Sequence, residues 1–145
     1  MSLPDWVRNG WLTEHRSSAD EIRRLLDLVD RDLRASDLGQ LDPDWRFAIA
    51  YNAALQAATA ALAAAGYRAA RDSHHLRVIE SLEWTVRVEP ALVRQFDAFR
   101  KKRNRSNYER GGAISDAEVA RMRALAVRLR AEVERWIRAS HPHLL

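Results

Sequence analysis

Residues 47–65 form a run of nineteen residues without a charged side chain, and most of them are alanine. Nothing else in the chain narrows the possible folds so far. Asp42-Pro43 ahead of the run supplies an N-cap followed by proline at the first helical position. Gly66 behind it suits the C′ position. The segment between them reads as one helix of about 23 residues, roughly 35 Å long. Such a stretch has the length of a membrane span, but Asn52, Gln56 and Thr59 interrupt it and alanine dominates. The reading is therefore a tightly packed helix of a soluble protein, with no membrane partner. Its alanine faces let neighbouring helices approach closely.

The rest of the pattern is helical as well. Ser18-Ala19-Asp20-Glu21 is a capping box that opens a helix with Ile22, Leu25, Leu26, Val29 and Leu33 on one stripe, ending near Gly39. Asp72 or Ser73 starts another, with Leu76, Ile79, Leu82 and Val86 inward. Glu89-Pro90 breaks the chain and starts a fourth long helix, which ends by Gly111-Gly112. Ser115-Asp116-Ala117-Glu118 is a second capping box, before a helix with Met122, Leu125, Leu129, Val133, Trp136 and Ile137 on one face. No segment alternates long enough for a strand; residues 83–89 come nearest, and a helix end fits them equally well. The connections are short, so sequential helices should pack antiparallel. The expected fold is all-α, an up-and-down antiparallel bundle of four to five helices. Residues 1–16, with Trp6 and Trp11, form an extra helix or an arm over the bundle, residues 17–139 the bundle and residues 140–145 a tail.

The chain has 145 residues, enough for one domain with one core. Cysteine is absent, which excludes disulfides and thiolate metal sites and fits a cytoplasmic protein. The first ten residues lack the apolar run of a signal peptide. The net charge of +4 permits a nucleic-acid partner without requiring one. The five histidines, His15, His74, His75, His141 and His143, include no Glu-x-x-His or His-Glu-x-x-His pair. No metal site and no cofactor is expected, and no glycine-rich nucleotide loop is present.

The segment from Phe99 to Tyr108 is where chemistry concentrates. It holds five cations and no acid, and both lysines of the protein lie in it. Stepping about 100° per residue, the stripe of Leu92, Phe96 and Phe99 runs on into Arg100, Arg103 and Asn107. Lys101, Lys102 and Arg105 fall on the opposite side. Cations near a helix C-terminus complement its dipole, which accounts for the outer ones. Two arginines aimed where a core should be need a partner, because a buried guanidinium is costly alone. An anion-binding cleft or a subunit interface would provide one. A helix-turn-helix reader would instead expose such residues.

Arg103-Asn104-Arg105-Ser106-Asn107-Tyr108, late in the fourth long helix, resembles the motif of the HEPN superfamily. That motif is Arg, usually followed by Asn, then four to six residues to His, with Tyr close by. The resemblance covers roughly residues 17–139. It implies a homodimer whose two motifs line one cleft. It also implies RNA or nucleotide binding there, in many members with metal-independent endoribonuclease activity. Some members instead partner a minimal nucleotidyltransferase in a toxin–antitoxin-like pair, which is the alternative reading. Carried over, Arg103 contacts phosphate, Arg100 supports it, Asn104 orients the helix or the partner motif, and Lys101, Lys102 and Arg105 steer the ligand. The motif His is replaced by Asn107 or Tyr108. Tyr108 is then the acid/base candidate or a stacking ring, and Asn107 a polar contact. Antiparallel packing would bring the start of the third helix, with His74 and His75, beside the end of the fourth.

Overall fold

The computed structural model describes residues 1–72, 74–108 and 114–145, with the side chains of 105–108 left aside. The chain runs α1 (Leu3–Arg8), β1 (Leu12–Glu14), α2 (Ala19–Ala35), α3 (Pro43–Ala64), β2 (Tyr67–Ala69), α4 (His74–Ser81), α5 (Pro90–Tyr108) and α6 (Asp116–Ser140). It is a mostly helical bundle built around α3.

The reason lies in the alanines. Ala50, Ala53, Ala54, Ala57, Ala58, Ala60 and Ala61 are all fully buried, on more than one face of α3. A side chain ending at Cβ lets a neighbour's ridge seat against the helix backbone. Helices α2, α4, α5 and α6 and strand β2 all pack on α3. A helix this long and apolar could cross a membrane by length, but 72% of the relevant window is buried inside the fold. Its partners present the expected stripes. Ile22, Leu26 and Val29 of α2 are buried, as are Met122, Leu125, Leu129, Val133 and Ile137 of α6.

Polar links set the angles between these helices. Asp32 of α2, almost fully buried, accepts hydrogen bonds from Asn52 Nδ2 at 2.9 Å and Gln56 Nε2 at 2.7 Å, both on α3. Arg130 of α6 grips Asp30 of α2 with two bonds, at 2.9 and 3.1 Å. Arg46 Nε donates to the Ser36 carbonyl and Arg123 Nε to the Ser36 hydroxyl, both at 2.8 Å. The C-terminus of α2, whose last carbonyls lack helical partners, is thus capped by two cations.

Helix starts follow the expected chemistry with two differences. Ser115 and Glu118 form the reciprocal capping box. Ser18 accepts from the Glu21 amide, but the Glu21 carboxylate turns to His15 Nε2 at 2.7 Å and leaves the box half made. Asp42 occupies the N-cap without a side-chain bond, and Pro43 begins the helix. Gly66, at φ +100°, reverses the chain after α3 as a C′ glycine does.

Two expectations need correction. A two-stranded antiparallel sheet exists, pairing Leu12 with Ala69 and Glu14 with Tyr67. Strands of three residues are too short to leave a period-2 signal. Residues 83–89 form no strand: a turn follows α4, and the chain then runs irregularly through Arg87 at φ +62°. The helix expected to carry Val86 ends at Ser81; the described residues hold six helices, α1 being the extra one within residues 1–16. Ser73 and the expected stop at Gly111-Gly112 lie outside the described residues.

The first sixteen residues are integral to the core. Trp6 and Leu12 are buried, and Trp11 stacks under Arg77 of α4, with the guanidinium carbon 3.6 Å from its ring centroid. The arm therefore clamps α4 onto the bundle.

Replacing Asp32 with Ala leaves two amides of α3 without their acceptor. We expect a loss of about 1–3 kcal/mol in urea denaturation, with an unchanged slope. A loss below ~0.5 kcal/mol would mean that the network adds no net stability.

Candidate anion-binding site

Helix α3 carries one large polar-tipped side chain in its buried wall, Tyr51. Its ring meets Phe96 of α5 edge-on, with centroids 5.8 Å apart, and Phe47 meets Phe99 in the same way at 5.6 Å. These contacts hold the apolar stripe of α5 against α3. One turn further on, the same stripe carries Arg100 and Arg103, as the helical period requires.

Each inward arginine has its own compensation within the chain. Arg100 Nε donates to Asp97 Oδ1 at 2.7 Å. This bond fixes the guanidinium, and among the described residues no partner occupies its terminal nitrogens. Arg103 places its guanidinium carbon 5.5 Å from the Tyr51 ring centroid, within the range in which a π-face attracts a cation. Its Nε is buried and has no hydrogen-bond partner among the described residues.

Tyr51 reaches the other way with its hydroxyl. Tyr51 Oη lies 3.1 Å from His75 Nδ1, at the start of α4. Burial pushes the Tyr51 hydroxyl up to about 12 against the pull of Arg103 and Arg100. The phenol is therefore protonated, and His75 Nδ1 is the one acceptor it has among the described residues. A buried donor left unmade is costly, so the hydroxyl donates to Nδ1, and neutral His75 carries its proton on Nε2. Burial lowers the His75 pKa from the ordinary 6.5, and coulombic interaction with Arg103, His74 and Arg100 lowers it further. The imidazole is neutral at pH 7.

These groups line one open cleft of about 370 Å³, walled by Arg71, His74, His75, Leu76, Arg100 and Asn104. Two permanent cations and two imidazoles face it, with Asp97 the acid that anchors Arg100. Such a concavity favours an anion, and its size suits a small ligand group or a single nucleotide unit. A larger concavity of about 690 Å³ runs from Glu14 to Ala19 and past Gly66 to His143. It mixes both signs, and its His15 is already bonded to Glu21. The smaller cleft is the better site. Among the described residues no three His, Asp or Glu side chains gather to hold a metal ion.

The expected site residues divide accordingly. Arg100 and Asn104 line the cleft. Arg103 stands behind it, on the Tyr51 ring. Lys101 lies outside, 3.5 Å from Asp97, and Lys102 is ion-paired with Glu118 of α6. The side chains of Arg105, Asn107 and Tyr108 are outside the described residues. Helix order does bring the start of α4 beside the end of α5, and His74 and His75 join the cleft. Tyr51 and Arg71 carry no local signal; a tyrosine in an alanine run reads as core. Comparison with family models, with curated proteins and with solved structures finds no match.

The buried phenol gives a direct spectroscopic test. Tyr51 should ionise at about pH 12, and Tyr51→Phe should remove a phase at that pH from a tyrosinate absorbance titration. The sign for stability follows. Unfolded Tyr51 loses its proton near 10 and the folded residue does not, so stability contributed by the neutral phenol drains between those two values. Loss in Tyr51→Phe of an ionisation near the ordinary value of 10 would contradict the buried, His75-bonded phenol.

Proposed function

We propose that this protein binds single-stranded RNA through its phosphates, in the cleft between the start of α4 and the end of α5. The observation that carries the reading is Arg100, held by Asp97 with its terminal guanidinium nitrogens unpaired among the described residues, in a cleft shared with Arg71, His74, His75 and Asn104. A guanidinium fixed at Nε presents a ready fork to phosphate oxygens. The resemblance to HEPN domains points to the same ligand class and to a homodimer. The two inward arginines find partners within the chain, Asp97 and the Tyr51 ring, so the dimer rests on the resemblance alone.

His75 and Tyr51 suit binding rather than proton removal, for a chemical reason. Cleaving RNA without a metal requires a group that removes the 2′-hydroxyl proton. His75, with Nδ1 occupied by Tyr51, offers an N–H to the cleft and no lone pair. Tyr51 ionises too high to act as a base. His75 is thus equipped to donate to a phosphate oxygen.

The test is fluorescence anisotropy with a labelled oligouridylate in EDTA, scoring cleavage on the same samples. Arg100→Ala should weaken binding about tenfold, ~1.4 kcal/mol, with unchanged helicity by circular dichroism. The salt dependence should become shallower by about 0.7 logarithmic units for each phosphate the variant no longer neutralises. Arg100→Ala binding with wild-type affinity would overturn the reading.

A further inference from the structure

One wall of the cleft carries His75, whose Nδ1 faces a buried phenol. His75 is packed between three elements. Tyr51 faces it from α3 at 3.1 Å, and His74 from α4, with ring centroids 5.7 Å apart. Arg100 and Arg103 act on it from α5, with Asp97 bonded to Arg100, and Arg71 shares its cleft wall. In the free protein the groups that act on the ring through their charge, Arg103, Arg100 and His74, are positive or able to become so. The phenol proton also occupies Nδ1. Both effects exclude a proton from the ring.

A phosphate in the cleft reverses the first effect. Its negative charge offsets Arg100 and Arg71 at short range. An oxygen accepting from Nε2–H gains most if the ring is an imidazolium, because charge-assisted hydrogen bonds are roughly twice as strong as neutral ones. Nδ1–H then donates to Tyr51 Oη, and the phenol hydrogen rotates off the nitrogen, giving up its one acceptor among the described residues, a cost that the charge-assisted bond to phosphate offsets. We propose that His75 takes up a proton when an RNA phosphate enters the cleft and holds that phosphate as an imidazolium, making RNA binding proton-linked. The proton comes from solvent and returns to it on release.

This inference rests on the RNA reading above, and it can fail while that reading stands. By linkage, affinity must rise as pH falls across the interval between the free and bound pKa values of His75. One proton gives a slope of at most about tenfold per pH unit.

The experiment is isothermal titration calorimetry of the full chain with an oligouridylate of about twelve nucleotides, lacking terminal phosphates, so that the ligand does not titrate between about pH 5 and 8. Runs in two buffers of different ionisation enthalpy count the protons taken up. Wild-type protein should take up a fraction of a proton per site and bind several-fold more tightly near pH 6 than near pH 8. His75→Gln, whose amide can still accept from Tyr51, should bind more weakly near pH 6 and lose the uptake. Tyr51→Phe should reduce the uptake, because the freed Nδ1 protonates before ligand arrives. In His74→Gln the uptake should persist. RNA binding without proton uptake overturns the inference and leaves the binding site in place, as does uptake that survives His75→Gln. Absence of RNA binding at every pH removes the site and the inference together.

Discussion

Close packing against α3 is the constraint on which the rest of the structure depends. Four helices and a strand share one alanine-walled helix as their common surface. Approach that close leaves no room for large side chains on most of α3, so the one buried aromatic with a polar tip, Tyr51, acts where three helices meet. It braces Phe96 with its ring edge, carries Arg103 on its face and bonds His75 with its hydroxyl. A core-packing position therefore also organises the polar cleft. The same ring links the apolar and the charged halves of α5.

Charge in the cleft is arranged to remain uncompensated on the open side. Among the described residues Arg100 is paired through Nε alone, His75 is kept neutral by its surroundings, and Lys102, which would add positive charge, is tied to Glu118 on α6. The clamp of Trp11 on Arg77 holds the helix that brings His75 to this place. Residues far from the cleft thus fix its geometry, through a short sheet and an arm that are themselves part of the core.

What the sequence reveals depends on the range of the interaction. Helices α2, α3 and α6 are legible because caps and 3.6-residue stripes are local signals, and Ser115 with Glu118 forms the box that its spacing announces. The sheet is not legible, because β1 and β2 are three residues each and their pairing spans more than fifty positions. The inward aim of Arg100 and Arg103 follows from the helical period alone. Their partners differ in this respect. Asp97 lies three residues from Arg100 and is readable, whereas Tyr51 and His75 come from other helices and become visible only once packing is known. Antiparallel order places His74 and His75 beside α5 but does not select between them. That selection is made by the 3.1 Å bond to Tyr51.

The most direct test of a neutral, phosphate-responsive His75 is long-range ¹H–¹⁵N NMR of the histidine side chains, followed through pH with and without oligouridylate. Free His75 should be the Nε2–H tautomer, titrate below the ordinary 6.5, and shift toward the imidazolium pattern on adding the RNA. A His75 that titrates at the ordinary value and ignores the RNA, while shifts appear at residues outside the cleft, would contradict it.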